Sequence, residues 1–357
     1  MPCDVVEPWI EVSRSALLAN LRQLRGRVPA AVRFAAVLKA NAWGHGRDLV
    51  ASVLADQVEL LAAAEPTDAL ALAGAAPGRT LCLGPAYGRQ LRELCAAGVQ
   101  VAVADRRALP DLRPGAGVHL LVDTGLHRLG CRPAEVGELI QALRARGARV
   151  EGVYCHVAGA DRADWLAVQA EVATLRRSAS AGTLIHCGGS SLLIERPDLV
   201  GDLARPGIAM YGHLPHPRQA GLVSLTPALR LLAPVLAICE LQRGDRIGYL
   251  GQVLGARTTV ATLGVGVAHG LDPALARVGA QVLVGGRHCP ILCDPMLDYT
   301  LVDVTAAPTT SRGDHALVIG GADGTPTSVS TLAGQLDQTP ERLLIRLAST
   351  VTRRIGD

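Results

Sequence analysis

Phe34-Ala35-Ala36-Val37-Leu38-Lys39 runs directly into Ala40-Asn41-Ala42-Trp43-Gly44-His45-Gly46. The first half is an apolar run of strand length that ends on a cation, and glycines punctuate the second half. Seven more short β-rich runs lie near 60–64, 80–84, 99–104, 117–123, 150–157, 183–187 and 204–211, and with 34–39 they make eight. Helical patterns separate several of them: 87–97 ends at Gly98, 133–146 opens on Pro133 and ends at Gly147, and 163–178 runs toward Gly182. Proline entering and glycine leaving is the punctuation helices favour. Eight parallel strands, each followed by a helix, predict an α/β fold of the (β/α)8 TIM barrel type with its chemistry at the C-terminal strand ends. Lys39 ends the first of those strands, so its amine points into the mouth. There a desolvated amine has a lowered pKa and becomes nucleophilic.

After Tyr211-Gly212 the pattern changes. Pro215, Pro217 and Pro227 break the connection, and strand-like runs come at 234–241, 258–265, 280–284, 299–305 and 316–319, with no long amphipathic helix before Thr331. The sequence therefore predicts a barrel over 13–225 and a smaller β-rich domain over 226–357, joined by an N-terminal strand within 1–12. A chain of 357 residues has the length for both.

Composition narrows the function. A net charge of +3 with scattered arginines offers no basic stripe for nucleic acid. No apolar run reaches the roughly 18 residues of a membrane span, and Met1-Pro2-Cys3-Asp4 lacks the start of a signal peptide. A cytoplasmic protein is the expectation. Nine cysteines from Cys3 to Cys293, without paired spacing, read as reduced thiols. His288-Cys289 and Cys293-Asp294 lack a second ligand pair, so no metal site is expected. Among 35 basic residues Lys39 is the only lysine. Arginine serves at most surface positions, but only a primary amine forms an imine with an aldehyde.

Lys39-Ala-Asn-Ala-Trp-Gly-His-Gly46 resembles the lysine signature of the alanine racemase family, with Trp43 where that family usually has tyrosine. Further blocks resemble the family in order: Trp9-Ile10-Glu11-Val12, Val122-Asp123-Thr124-Gly125-Leu126-His127-Arg128-Leu129-Gly130, Gly152-Val153-Tyr154-Cys155-His156, and Ala204-Arg205-Pro206-Gly207-Ile208-Ala209-Met210-Tyr211-Gly212. The resemblance implies pyridoxal 5'-phosphate bound as a Schiff base on Lys39, an amino acid substrate, and a homodimer with shared active sites. It implies phosphate binding by Ser190 and the amides of Gly207 and Ile208, where barrels commonly hold phosphate. Arg205 would face the pyridine nitrogen and keep it unprotonated. Trp43 and His156 would flank the cofactor, with His156 against Arg205 or the ring. Arg128 would reach the cofactor's phenolic oxygen or the substrate carboxylate, and Leu297 would meet the substrate. Ser190 as an ordinary cap, His156 as a core histidine and Arg205 as a surface ion-pair partner are the plainer alternatives.

The pattern also breaks. The family's second base is a tyrosine given by the partner subunit, and this chain reads Gly266-Val267-Ala268-His269-Gly270 there. Valine has no proton to give. Pro340 and Leu121 likewise stand where the family has a tyrosine and often a lysine. His269 would share the face of Val267 if a strand continued through it, because strand side chains alternate, and imidazole is a competent acid or base. It could equally occupy a turn. Three readings are open: racemisation with His269 or water opposite Lys39; decarboxylation, retro-aldol cleavage or transamination with Lys39 as sole base; or a non-catalytic cofactor-binding homologue.

Overall fold

The computed structural model describes residues 7–357. The predicted strand positions within 1–6 lie outside the described residues. Strand β1 (Trp9–Val12) comes first, and the eight barrel strands are β2 (Arg33–Val37), β3 (Leu60–Ala63), β4 (Thr80–Pro85), β5 (Gln100–Val103), β6 (Gly117–Leu121), β7 (Arg149–Tyr154), β8 (Leu184–His186) and β9 (Leu203–Ala204). They form one parallel sheet in the order β8-β7-β6-β5-β4-β3-β2-β9. Its ends are stitched by the Asp202 amide donating to the Ile185 carbonyl at 2.6 Å and the Cys187 amide to the Val200 carbonyl at 2.9 Å. The fold is a nearly closed (β/α)8 barrel.

Inward positions alternate along each strand. Ala35, Val37, Leu60, Ala62, Leu81 and Leu203 fill one cluster, and Ala102, Ala104, Leu121 and Tyr154 fill another. Small alanines are mixed with larger leucines there, so that side chains fill the narrow interior that eight strands leave. The eighth strand is a correction. It covers only Leu203–Ala204, not 204–211, and Ile208–Tyr211 is a 3-10 turn. Pro206 has no N–H to give a ladder, and Gly207 turns the chain.

The second part holds β10 (Leu229–Leu241), β11 (Arg246–Ile247), β12 (Gln252–Val253), β13 (Thr258–Leu263), β14 (Gln281–Val284), β15 (Arg287–Pro290), β16 (Thr300–Asp303), β17 (His315–Gly320) and β18 (Thr352–Ile355). β1 pairs antiparallel with β10, Trp9 opposite Leu232, and parallel with β18, Trp9 opposite Thr352. The chain divides into two compact units: residues up to Leu17 with Trp43–Gly46 and Thr226–Asp357, and Leu18–Ala42 with Arg47–Leu225. Among the described residues no helix is long and apolar enough to cross a membrane.

Candidate active site

Strand β2 ends at Val37, and Lys39 follows it at the barrel mouth, exposed. The next four residues turn left-handed: Ala40, Asn41, Ala42 and Trp43 have φ of 51°, 54°, 52° and 54°. Each such residue with a Cβ costs roughly 1–2 kcal/mol, and consecutive strained residues of this kind cluster at functional sites. The Arg47 amide donates to Asn41 Oδ1 at 2.9 Å, which braces the turn. Within its own unit Gly44, at φ 83°, has room only as glycine, because a Cβ there would lie 2.2 Å from the Leu344 carbonyl oxygen. Trp43 is half-buried beside it.

Just past β9, the strand paired with β2, Arg205 is buried at 5% exposure. Its Nη2 donates to the Cys155 carbonyl at 2.7 Å, its Nη1 donates to His186 Nδ1, and its guanidinium carbon stands 5.1 Å from the Tyr154 ring centre. An arginine can only donate, so neutral His186 must carry its proton on Nε2. That proton bonds His119 Nδ1 at 2.8 Å, and His119 Nε2 in turn donates to Gln100 Oε1 at 2.8 Å. Burial first, then the Arg205 charge, pushes His119 down to about 3 and His186 well below its ordinary value. Both rings stay neutral. Tyr154 stacks on His186 with centroids 4.8 Å apart. Sequence reasoning missed this buried file of His186, His119 and Gln100. Its signal was two histidines at inward positions of strands otherwise apolar.

The ring bonded to Arg205 is that of His186, while His156 stands near enough for the Arg205 charge to act on it. The His156 Cε1 lies 3.8 Å from where a Cβ on Gly189 would stand. The ring is open to solvent yet crowded by protein, and desolvation, followed by the charges of Arg205, Arg128 and Lys39, drives it down to about 3. Arg128 is exposed in the loop after β6, where Asp123 Oδ1 accepts from the Gly125 and His127 amides at 3.1 and 2.9 Å. Leu121 is buried in the apolar cluster with Tyr154, so no charge stands at that strand end.

Ser190 is buried at the start of the helix Ser190–Glu195. Its Oγ accepts from the Gly207 amide at 3.0 Å and from the Ala209 amide at 3.3 Å. Ser190, Gly207 and Ile208 thus stand together, and Ala209, which sequence reasoning passed over, belongs with them.

In the other unit β13 stops at Leu263, and Val267–His269 is a 3-10 turn. The strand does not continue, so Val267 and His269 share no face by alternation. The His269 ring accepts at Nδ1 from the Gly266 amide at 3.0 Å. The Val267 and Ala268 amides donate to the carbonyls of Met296 and Leu297 at 2.9 and 2.8 Å, which holds Leu297, 61% exposed, beside this turn. Gly270, at φ 99°, packs where a Cβ would lie 2.3 Å from the Arg346 carbonyl oxygen.

A barrel with a lysine past its first strand and a buried arginine past the strand paired with it, followed by a β domain, defines a two-part barrel enzyme. The chain matches the family description alanine racemase, N-terminal domain, over residues 12–215 and alanine racemase, C-terminal domain, over 228–355. It is 35% identical to the alanine racemase of Deinococcus radiodurans, covering 97% of this chain and 98% of that one. It is 33% identical to that of Symbiobacterium thermophilum, covering 100% and 99%. Among solved structures, alanine racemase from D-cycloserine producing Streptomyces lavendulae is 27% identical with a TM-score of 0.88, covering 100% of this chain and 98% of the other. The chain belongs to the alanine racemase family, and it is an alanine racemase-like isomerase by that membership.

Proposed function

We propose that this enzyme acts at the Cα of an amino acid with pyridoxal 5'-phosphate held on Lys39. The observation that carries the reading is that the only lysine in the chain stands exposed just past the first strand of the barrel, in a chain of the alanine racemase family. The residues present fit this cofactor. The Ser190 hydroxyl and the Ile208 amide offer donors for a phosphate, to which the Gly207 and Ala209 amides would turn from Ser190 Oγ, Arg205 offers a fixed cation for the ring nitrogen, and Trp43 and His156 the flanks. When bound, the cofactor supplies an aldehyde for the lysine amine and a ring that spreads the charge left when Cα loses a proton. Lys39 Nζ takes or returns that proton on one side. Arg205, donating to a histidine that cannot itself become charged, keeps its protons and so limits how much charge the ring accepts. Arg128 binds the substrate carboxylate, and Leu297 borders the substrate.

Racemisation needs a second proton carrier on the opposite side. Val267 cannot be one, and His269 with Nδ1 occupied could exchange protons only through Nε2. Racemisation through His269 or water is the first reading. Val267 and the buried Leu121 favour a second, in which Lys39 is the sole base for decarboxylation, retro-aldol cleavage or transamination. The reading further takes 13–225 as the cofactor barrel and 226–357 as the β domain, in a cytoplasmic homodimer that shares its active sites. Incubation of a panel of amino acids in deuterated water, with chiral separation of products, tests it. Cα deuteration should occur and fall by at least about 10²-fold in Lys39→Ala. Borohydride should fix the cofactor to the wild-type chain at Lys39 alone, located by peptide mass, and fixation to the Lys39→Ala protein would overturn the assignment.

A further inference from the structure

Tyr154 stands opposite His186 in the parallel pair β7–β8, and the ladder continues one step further, the Cys155 amide donating to the His186 carbonyl at 3.2 Å. Cys155 and Cys187 are therefore the next opposed pair. Tyr154 and His186 stack toward the barrel interior, so alternation sends both thiols to the other face, under the helix Trp165–Ser178. Neighbouring strands lie about 4.7–4.9 Å apart, inside the roughly 4.4–6.8 Å that a disulfide spans between Cα atoms. The two side chains are close enough to hydrogen-bond, and the Thr124 hydroxyl reaches the Cys155 thiol as well. Both cysteines are reduced here and buried, at 0% and 1% exposure.

We propose that Cys155 and Cys187 form a reversible disulfide under peroxide, a redox modification site in the wall of the barrel. The hydrogen bond from Cys187, outweighing burial, lowers the Cys155 thiol, with Thr124 and the Arg205 charge acting the same way. Cys155 is accordingly the attacking sulfur. Its thiolate takes one oxygen of hydrogen peroxide, the O–O bond breaks, and the departing hydroxide leaves as water with the thiol proton. The Cys187 sulfur then attacks the resulting sulfenic sulfur, the S–O bond breaks, and hydroxide leaves with the Cys187 proton as a second water. Two thiols lose two electrons and one peroxide becomes two waters. A dithiol reduces the bridge by thiol–disulfide exchange.

Arg205 holds both joined strands, through the Cys155 carbonyl on one and the His186 ring on the other. The bridge thus acts on the seat of the buried cation. Thr124, bonded to Glu171 Oε2 at 2.9 Å, covers the thiols, so peroxide reaches them by local opening of that cover. The bridge forms whether or not Lys39 carries a cofactor.

The full chain is exposed to hydrogen peroxide, its remaining thiols are alkylated, and tryptic peptides are analysed by mass. Peptides 150–162 and 178–218 each contain a single cysteine, so a linked pair is unambiguous. The expected result is that linked pair, short of two hydrogens, formed more slowly than oxidation of exposed Cys239 and reversed by dithiothreitol. Cys155→Ser should leave Cys187 unbridged. Oxidation of Cys239 with 150–162 and 178–218 never linked to each other would overturn the proposal.

Discussion

Gly152 occupies the one gap in the barrel that the buried histidine file requires. An added Cβ would lie 2.4 Å from His119 Nδ1, 2.9 Å from His119 Cε1 and 3.1 Å from His186 Nε2. Both rings are fully buried and fixed at their far ends, one by Gln100 and the other by Arg205. In Gly152→Ala a ring must move, and the 2.8 Å bond between the two histidines breaks. Overpacking costs about 1–3 kcal/mol, and leaving a buried ring nitrogen unpaired costs about 1–3 kcal/mol more. A loss of about 2–6 kcal/mol is expected, with a fall in Tm on the order of 10 °C for barrel domains of this size. Denaturant unfolding of wild type and variant measures it. Gly137→Ala is the control, since that helical glycine has nothing within 4 Å of the new Cβ, and it should gain about 0.5–1 kcal/mol. His119→Ala removes the clashing ring, so the double variant should lose clearly less than the two singles added together. A Gly152→Ala protein within about 0.5 kcal/mol of wild type, a change typical of exposed sites, would refute the claim that this file is tightly packed.

Ser190→Ala strips the shared acceptor from the Gly207 and Ala209 amides, and should destabilise the cofactor-free protein by about 1–3 kcal/mol in denaturant titration; a neutral result would mean other partners satisfy those amides. Acid should weaken the fold before any carboxylate titrates in bulk. His119 and His156 are held down to about 3 and His186 well below 6.5, each by burial first, so between those limits the unfolded chain binds protons that the folded chain refuses. Proton uptake favouring the unfolded chain makes stability fall as pH drops below about 6.5, and denaturant midpoints that stay level or rise between about pH 7 and about pH 5 would contradict this.

The barrel was legible because each strand is a short apolar run closed by glycine, proline or a polar turn. Leu60–Ala63 and Gln100–Val103 fall inside the stretches 60–64 and 99–104 that pattern alone marks. Strand β9 was not, because Arg205-Pro206-Gly207 interrupts an apolar stretch with a residue that cannot donate, and the chain leaves the ladder there. The left-handed turn at Ala40–Trp43 is illegible for a different reason. Alanine-rich local propensity favours a right-handed helix, and surrounding structure overrides it. Cys155 facing Cys187, and His119 facing His186 across 67 residues, are products of strand register, which no local pattern encodes.

The same contrast divides the candidate site by chemistry. On the proposed reading, the types of Lys39, Arg205 and Ser190 follow from what each would bind, an aldehyde carbon, a ring nitrogen and an anion, and residues of that kind announce themselves in sequence. His269 does not, because a histidine's role depends on which nitrogen is committed. Expecting it on a strand with Val267 treated the period of two as continuing past Leu263, but Gly266 and Gly270 end the strand by close approach. A Cβ at Gly266 would lie 2.3 Å from the Met296 carbonyl oxygen, so backbone contact with the 296–297 segment, not side-chain alternation, sets this turn. The Gly266 amide then claims Nδ1, leaving Val267 inert and His269 with one ring nitrogen for chemistry. The Val267–His269 turn is thus defined by backbone packing that only the folded chain reveals.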